Sequence, residues 1–129
     1  MINYAREKAI KVMENSKFAI MATTGPSGLQ IGEFPCEAAE LTIYFLIPRT
    51  SDHLFNLEQN GQVVLHTDKW ELTGQCEILP DAKKWPNISL VTPDSAMWYV
   101  LVKVIPNKIQ VLRYGEWGPS ETIDISSFI

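Results

Sequence analysis

Three adjacent residues with hydrogen-bonding side chains, Arg49, Thr50 and Ser51, stand directly before a short helical pattern around Leu54 and Leu57. Free backbone N–H groups and the helix dipole favour negative charge at a helix N-terminus, and an arginine can chelate a phosphate. The same residues also suit an ordinary helix cap, in which the Ser51 or Thr50 hydroxyl accepts from those N–H groups. The segment therefore predicts either an anion site or a plain cap.

The other reactive side chains offer no catalytic or metal-binding arrangement. His53 and His66 are the only histidines and have no HxxxH spacing, whereas a metal site needs about three protein ligands. We predict no metal site and no catalytic side chain. We expect His53 to be neutral and exposed to solvent, or charged if it lies beside a phosphate. Cys36 follows Pro35 in an acidic stretch that raises a thiol pKa, which indicates a packed cysteine rather than a nucleophile.

Hydrophobic periodicity predicts the elements that position these residues. Residues 41–67 form a strand–helix–strand unit, in which Pro48 ends the first strand and Gly61 supplies a left-handed residue after the helix. The other predicted elements are a helix over residues 2–14, a hairpin of strands 18–23 and 29–34 around the turn at 25–28, a strand over 71–79, a loop with a helical turn over 81–93, and a hairpin of strands 98–105 and 109–114 that turns at Pro106.

Length and composition bound the class of protein. With 129 residues, 46% of them hydrophobic and 20% charged, the chain is expected to form one folded domain over residues 1–129. The net charge of −4 argues against nucleic acid as a partner. No apolar run has the length of a membrane span, and no signal-peptide block is found, so we expect a cytoplasmic protein with no membrane partner. Cys36 and Cys76 form no CxxC pair and are expected to be reduced and buried.

The order of these elements resembles the pyridoxamine 5′-phosphate oxidase-like family of FMN-binding split barrels, over about residues 14–114. The stretches that carry the resemblance are FAIMATTGPSGLQIGEF, LTIYFLIPRTSDHLFNLEQNGQVVLH, LTGQCEIL and VLVKVIPNKIQVL. The strand count favours an antiparallel barrel over a βαβ fold. With the resemblance, the expected fold is mainly β (α+β): a six- to seven-stranded antiparallel split β-barrel with an N-terminal helix and a short inner helix. The resemblance further implies a homodimer with a flavin at each end of the subunit interface.

The motif residues of the family carry over in part. The family binds the flavin phosphate with a hydroxyl residue followed by a basic pair, and here Thr50 and Ser51 match the hydroxyl positions while Asp52 and His53 replace the pair. The cofactor-binding residues that the resemblance implies are the backbone of Glu33, Phe34, Pro35, Leu46 and Ile47 for the ring, Arg49, Thr50, Ser51 and His53 for the phosphate, Lys69 from the next hairpin, and Trp117 from the tail.

The function that this resemblance implies is an FMN-dependent oxidoreductase acting on an unknown small molecule, in which the flavin carries the redox chemistry. Pyridoxamine 5′-phosphate is not the expected substrate, because Leu112 and a tail without arginine, lysine or histidine after Gly115 offer nothing to hold its phosphate. The alternative is a non-catalytic ligand-binding or regulatory dimer of the same fold that has lost FMN. A third hypothesis is a deazaflavin or a haem in the same cleft.

Overall fold

The structure, a computed structural model, describes residues 4–112 and the backbone of residues 121–124. Its helices are α1 (Tyr4–Glu14), α2 (Asp52–Gln59) and the short α3 (Ser95–Trp98), with a 3-10 turn at Ala82–Lys84. Its strands are β1 (Phe18–Thr23), β2 (Gln30–Ala39), β3 (Thr42–Pro48), β4 (Gln62–His66), β5 (Trp70–Leu79), β6 (Tyr99–Val111) and β7 (Glu121–Asp124).

Six of these strands close into an antiparallel barrel. The strand order is β3-β2-β1-β4-β5-β6, and β3 pairs back onto β6 to complete the ring, while β7 extends the sheet from β6. Alternate residues of each strand point inward, so Ala19, Met21 and Leu65 are buried in one core cluster with Phe45 and Trp70. The structure confirms the expected antiparallel split barrel with an N-terminal helix and a short inner helix.

The first hairpin agrees closely with the sequence prediction. β1 covers the predicted residues, and β2 pairs with it from Phe18↔Pro35 to Thr23↔Gln30. In the turn, the Gly28 N–H donates to the Gly25 carbonyl at 2.9 Å, and Gly28 has a φ of 78°, a conformation that favours glycine. β2 continues through Pro35 to Ala39, beyond the predicted end at residue 34.

The predicted closing hairpin at Pro106 is wrong. β6 runs without a turn from Tyr99 to Val111, and Pro106 lies opposite Gly74 where the β5–β6 register shifts between Thr73 and Gly74. A β-bulge of this kind tolerates a proline, which has no N–H for the ladder. A Cβ at Gly74 would lie 2.6 Å from the Ile105 carbonyl oxygen, so glycine allows the two strands to approach here.

The predicted left-handed glycine at the end of α2 is also wrong. The helix ends at Asn60 in an extended conformation, with a φ of −145°, and among the described glycines a positive φ is found at Gly28. Gly61 instead has an extended pairing with β5, since its carbonyl accepts from the Cys76 N–H at 2.7 Å. The chain therefore passes directly from α2 into β4.

Candidate ligand site at the barrel opening

The barrel is split between β2 and β3, next to the segment that leads into α2. The pairing of these two strands begins at Ala39↔Thr42 and ends at Cys36↔Phe45. Beyond that point, residues 30–35 pair with β1, and residues 46–48 pair with β6. The two strands therefore diverge and leave an opening in the barrel wall.

Backbone alternation decides which peptide groups point into the opening. The Cys36 N–H donates to the Lys17 carbonyl at 2.8 Å, so the backbone of Cys36 and of Phe34 faces β1. The N–H and C=O of Glu33 consequently face the opening. On the opposite side, Glu37 and Tyr44 direct their peptide groups toward each other across the β2–β3 ladder. Leu46 lies two residues after Tyr44 on β3, so its peptide groups point in the same direction and face the opening. The backbone of Ile47 instead pairs toward Val100, and Pro35 can direct only its carbonyl to the opening.

The first turn of α2 has a side-chain cap. Ser51 has an extended backbone, and its Oγ accepts from the His53 N–H at 3.2 Å. Its carbonyl accepts from the Leu54 N–H at 3.1 Å. The structure therefore confirms the cap at Ser51, and two N–H groups at the start of the helix already have partners within the chain.

His53 is buried, which corrects the expectation that it is exposed to solvent. Its exposed fraction is 5%. The Nδ1 atom is hydrogen-bonded to Thr23 Oγ1 at 2.9 Å, and the ring packs edge-on against Phe34 with centroids 5.0 Å apart. Burial lowers the pKa of His53, and the charge of Asp52 offsets part of that shift. The side chain is thus held neutral inside the barrel.

Asn56 positions α2, a role that the sequence analysis did not predict. It is fully buried, its Nδ2 donates to Gly28 O at 2.8 Å and to Thr23 Oγ1 at 3.2 Å, and its Oδ1 accepts from the Ser27 N–H at 2.9 Å. These bonds join α2 to the β1–β2 turn and fix the helix within the barrel. The sequence did contain a signal for this role, an asparagine among the apolar positions of a short helix. A buried amide needs hydrogen-bond partners, so such an asparagine indicates contacts with another element.

Two adjacent cavities flank Arg49 and Thr50. One, of about 450 Å³, lies toward α2 and is lined by residues that include Asp52, Phe55 and Glu58. The other, of about 400 Å³, lies toward α3 and is lined by residues that include Trp98. Trp98 is 66% exposed and is the described tryptophan nearest this corner, a placement that the sequence analysis did not single out.

The guanidinium of Arg49 already has a partner in the chain. Its Nε and Nη2 both donate to the Ala96 carbonyl, at 3.1 and 2.6 Å, and its backbone N–H donates to the Trp98 carbonyl at 3.0 Å. Arg49 thus ties the end of β3 to α3. The cavity toward α2 is lined by one described basic side chain, Arg49, and by the carboxylates of Asp52 and Glu58.

Lys69, another predicted site residue, is not brought to this corner. Lys69 precedes β5 beside Val111, whereas the corner lies near Leu79 at the opposite end of that ten-residue strand. Such a strand is about 30 Å long, so Lys69 and Arg49 lie far apart. Trp117 lies outside the described residues.

The cysteines are free thiols, Cys36 buried and Cys76 half-buried. Burial raises the pKa of each to about 12, and Glu77 adds to the shift at Cys76. The raised pKa of Cys36 was expected, but its cause is burial and not the acidic neighbours. A neutral, buried thiol is a poor nucleophile.

The residues at the opening fit one part of FMN and not the other. The peptide groups of Glu33 and Leu46 offer donors and acceptors to the polar edge of a flavin ring. The phosphate end has no comparable fit, because His53 is turned inward, Arg49 is bonded to Ala96, and Asp52 lies at the start of α2. The described residues at this corner therefore offer less to a flavin phosphate than the two peptide groups offer to the polar edge of a ring.

No protein-family model and no curated protein sequence matches the chain. Solved structures do match its fold. A protein from Clostridium acetobutylicum related to general stress protein 26, of the pyridoxinephosphate oxidase family, has a TM-score of 0.71 and 19% identity, covering 99% of this chain and 100% of its own. General stress protein 26 of Bacillus anthracis has a TM-score of 0.64 and 19% identity, covering 92% and 97%. An F420 reductase has a TM-score of 0.59 and 19% identity, covering 84% and 98%.

These likenesses show that the chain has the pyridoxamine 5′-phosphate oxidase-like split-barrel fold. In residues 4–112 and 121–124, no helix is long and apolar enough to span a lipid bilayer. The same residues contain no group of three His, Cys, Asp or Glu side chains arranged to hold a metal ion.

Proposed function

We propose that this protein binds a flavin-type ring in the opening between β2 and β3 and is a flavin-dependent oxidoreductase acting on a small molecule. The observation that carries the proposal is the divergence of these strands beyond Cys36↔Phe45, which directs the peptide groups of Glu33 and Leu46 into a gap. One protein of the same fold is named an F420 reductase, so this fold also occurs in a reductase.

The contribution of the chain is to bind and orient the ring. A flavin, when bound, supplies the redox chemistry at its ring system. The peptide groups of Glu33 and Leu46 belong to strands of the barrel, so their positions are fixed before a ligand arrives. His53 and Asn56 keep α2 in place behind the opening by their bonds to Thr23 and Gly28.

The proposal includes a homodimer. Exposed apolar side chains lie on the outer face of β1, β2 and β4, where Ala22 pairs with both Ile31 and Val64. The exposed apolar residues of this face, with those of the adjoining turn, are Phe18, Ile20, Leu29, Ile31 and Val64. Glu33 and His66 lie on the same face, opposite Ile20, so the surface is mainly apolar with two polar side chains. An exposed and mainly apolar surface of this kind is typical of an interface between subunits. Because β2 also borders the opening, a second subunit on this face would cover the site.

The proposal further places the protein in the cytoplasm, where the thiols of Cys36 and Cys76 stay reduced.

Flavin titration of paired Glu33 variants tests the proposal. Glu33→Pro removes the N–H that faces the opening while leaving the β1 ladder intact, whereas Glu33→Ala keeps that N–H. Quenching of flavin fluorescence should give saturable binding to the wild type and to Glu33→Ala. Glu33→Pro should bind about tenfold more weakly, the cost of one hydrogen bond.

Circular dichroism of both variants should match the wild type, which separates loss of the N–H from loss of the fold. Riboflavin, FMN and F420 should all be titrated. If none of them binds at high micromolar concentration, the proposed function is wrong.

A non-catalytic dimer of the same fold is the second candidate. The observation that favours it is the pair of carboxylates, Asp52 and Glu58, beside the single described cation of the cavity toward α2. The two candidates differ in turnover. A flavin that binds but is reduced no faster on the protein than in solution, across a panel of reduced nicotinamides and other donors, would favour the non-catalytic dimer.

A further inference from the structure

The charges around the cavity toward α2 are unsuited to a dianion. Its described lining contains one basic side chain, Arg49, and two carboxylates, Asp52 and Glu58. The rest of that lining is apolar or carries a hydroxyl: Thr50, Ser51, Leu54, Phe55, Ile78, Pro80 and Val100. A phosphate placed here would meet more negative than positive charge, and like charges at short range are destabilising.

Arg49 could bind a phosphate only by giving up hydrogen bonds that it already makes. Two of its N–H groups donate to Ala96 O, at 3.1 and 2.6 Å, which holds the guanidinium toward α3. To bind a phosphate with two of its N–H groups, the guanidinium would have to leave the Ala96 carbonyl or share its donors between the carbonyl and the phosphate. A lysine or arginine directed into the cavity by α2 itself would have no such competing bond, and α2 has neither in its sequence DHLFNLEQ.

The start of α2 is also committed to internal bonds. The His53 N–H donates to Ser51 Oγ, and the Leu54 N–H donates to Ser51 O. The imidazole of His53 points the other way, to Thr23 inside the barrel. The N–H groups of His53 and Leu54 and the imidazole of His53 therefore do not offset the two carboxylates.

From this arrangement we infer that the ligand of the opening carries no terminal phosphate, so that among flavins the protein takes riboflavin in preference to FMN. The inference rests on the proposed function, since it concerns the same opening. In the proposed function the peptide groups of Glu33 and Leu46 would bind the ring, and this part of the ligand is the same in riboflavin and FMN. The cavity toward α2 adjoins the end of β3, since Arg49, Thr50 and Ser51 directly follow that strand. In that cavity the neutral hydroxyl groups of a riboflavin side chain would be compatible with Asp52 and Glu58, whereas a phosphate dianion would not.

Competitive titration tests the inference with three probes that share a ring: lumiflavin, riboflavin and FMN. We expect riboflavin to bind at least about tenfold more tightly than FMN, equivalent to about 1.4 kcal/mol. Equal or tighter binding of FMN overturns the inference and leaves the proposed function standing. No binding by any of the three overturns the inference, and the proposed function falls with it only if F420 also fails to bind.

Salt dependence gives a second readout that needs no variant. Between about 0.01 M and 1 M salt the Debye length falls from about 30 Å to about 3 Å, so charge effects are screened. A repulsive site predicts that FMN binds more tightly as salt is added while riboflavin changes little. FMN affinity that falls with added salt would show an attractive phosphate site and contradict the inference.

Variants without the two carboxylate charges test whether Asp52 and Glu58 cause the preference for riboflavin over FMN. The double variant Asp52→Asn with Glu58→Gln keeps the side-chain shapes and should narrow the preference for riboflavin over FMN by about tenfold. Glu71→Gln is the matched control, because Glu71 lies at the far end of β5 and pairs with His66. A preference that changes equally in both variants, or in neither, rules out Asp52 and Glu58 as its cause and contradicts the inference.

Discussion

The side chain of His53 holds the first turn of α2 inside the barrel. Its hydrogen bond to Thr23 and its edge-on contact with Phe34 leave 5% of the residue exposed. In such a place the charged form of an imidazole loses its hydration, and the pKa of His53 is lowered accordingly. The folded chain therefore binds a proton at this residue less readily than the unfolded chain does.

This difference predicts a loss of stability in mild acid. The free energy of unfolding rises with pH wherever the unfolded state binds more protons. The contribution of His53 is thus complete above its unfolded pKa of about 6.5 and is lost as pH falls toward the lower folded value. Urea unfolding between pH 8 and 5 should show a smaller drop in His53→Gln than in the wild type.

His66→Gln is the control for this experiment, because His66 lies on β4 away from α2. It should retain the acid-dependent drop of the wild type. If His53→Gln and the wild type lose stability in parallel over this range, burial of His53 is not what makes the fold sensitive to acid.

At the scale of the elements, the close approach of β5 and β6 depends on Gly74. The nearest atom to an added Cβ is a backbone oxygen, that of Ile105, at 2.6 Å, which cannot move without disturbing the bulge. We expect Gly74→Ala to lower the free energy of unfolding by about 3 kcal/mol. Thr73→Val, at the exposed neighbouring position, should change it by no more than about 0.5 kcal/mol.

Chemical denaturation followed by tryptophan fluorescence measures both variants. A Gly74→Ala protein as stable as the Thr73→Val protein would mean that the two strands can separate at this point without cost.

The elements that the sequence predicted are those with a local signal. The alternation of residues 18–23 predicted β1. A hydroxyl at Ser51 or Thr50 before an apolar helical pattern predicted the cap, which the structure places at Ser51. Pro106 and Gly61 were misread because each carries a strong local turn preference that a neighbouring strand overrides. Pro106 is accommodated by the bulge opposite Gly74, and Gly61 by its pairing with Cys76.

The candidate site was less accessible to prediction than the fold. Glu33 and Leu46 were named through the resemblance alone, since no side-chain pattern shows which way a peptide group points. The burial of His53 depends on Thr23 and Phe34, both distant in sequence, and the partners of Asn56 lie in the β1–β2 turn. Periodicity within a helix of eight residues contains no information about such partners.

At the scale of the whole molecule, the outer face of β1, β2 and β4 should determine the oligomeric state. Ile31 is 66% exposed at the centre of this face, so a charge there would be buried on association and is costly. Light scattering after gel filtration should show a dimer for the wild type and a monomer for Ile31→Glu. Tyr4→Glu is the control, because Tyr4 is 76% exposed but lies on α1.

A monomeric wild type at micromolar concentration would contradict the dimer. An Ile31→Glu protein that remains dimeric would move the interface to another face.

One strand, β6, pairs with three other strands and closes the barrel. It pairs with β5 along most of its length, with β3 over its first half and with β7 over its last residues. The β3–β6 pairing joins Ile47 to Val100, which are distant in the chain, so the entropy of closing that loop must be overcome before the ring exists. The ring should therefore close in a slow, late step of folding. Once the ring has closed, the amide hydrogens of Leu101 and Val102 should exchange with solvent only when the whole domain unfolds.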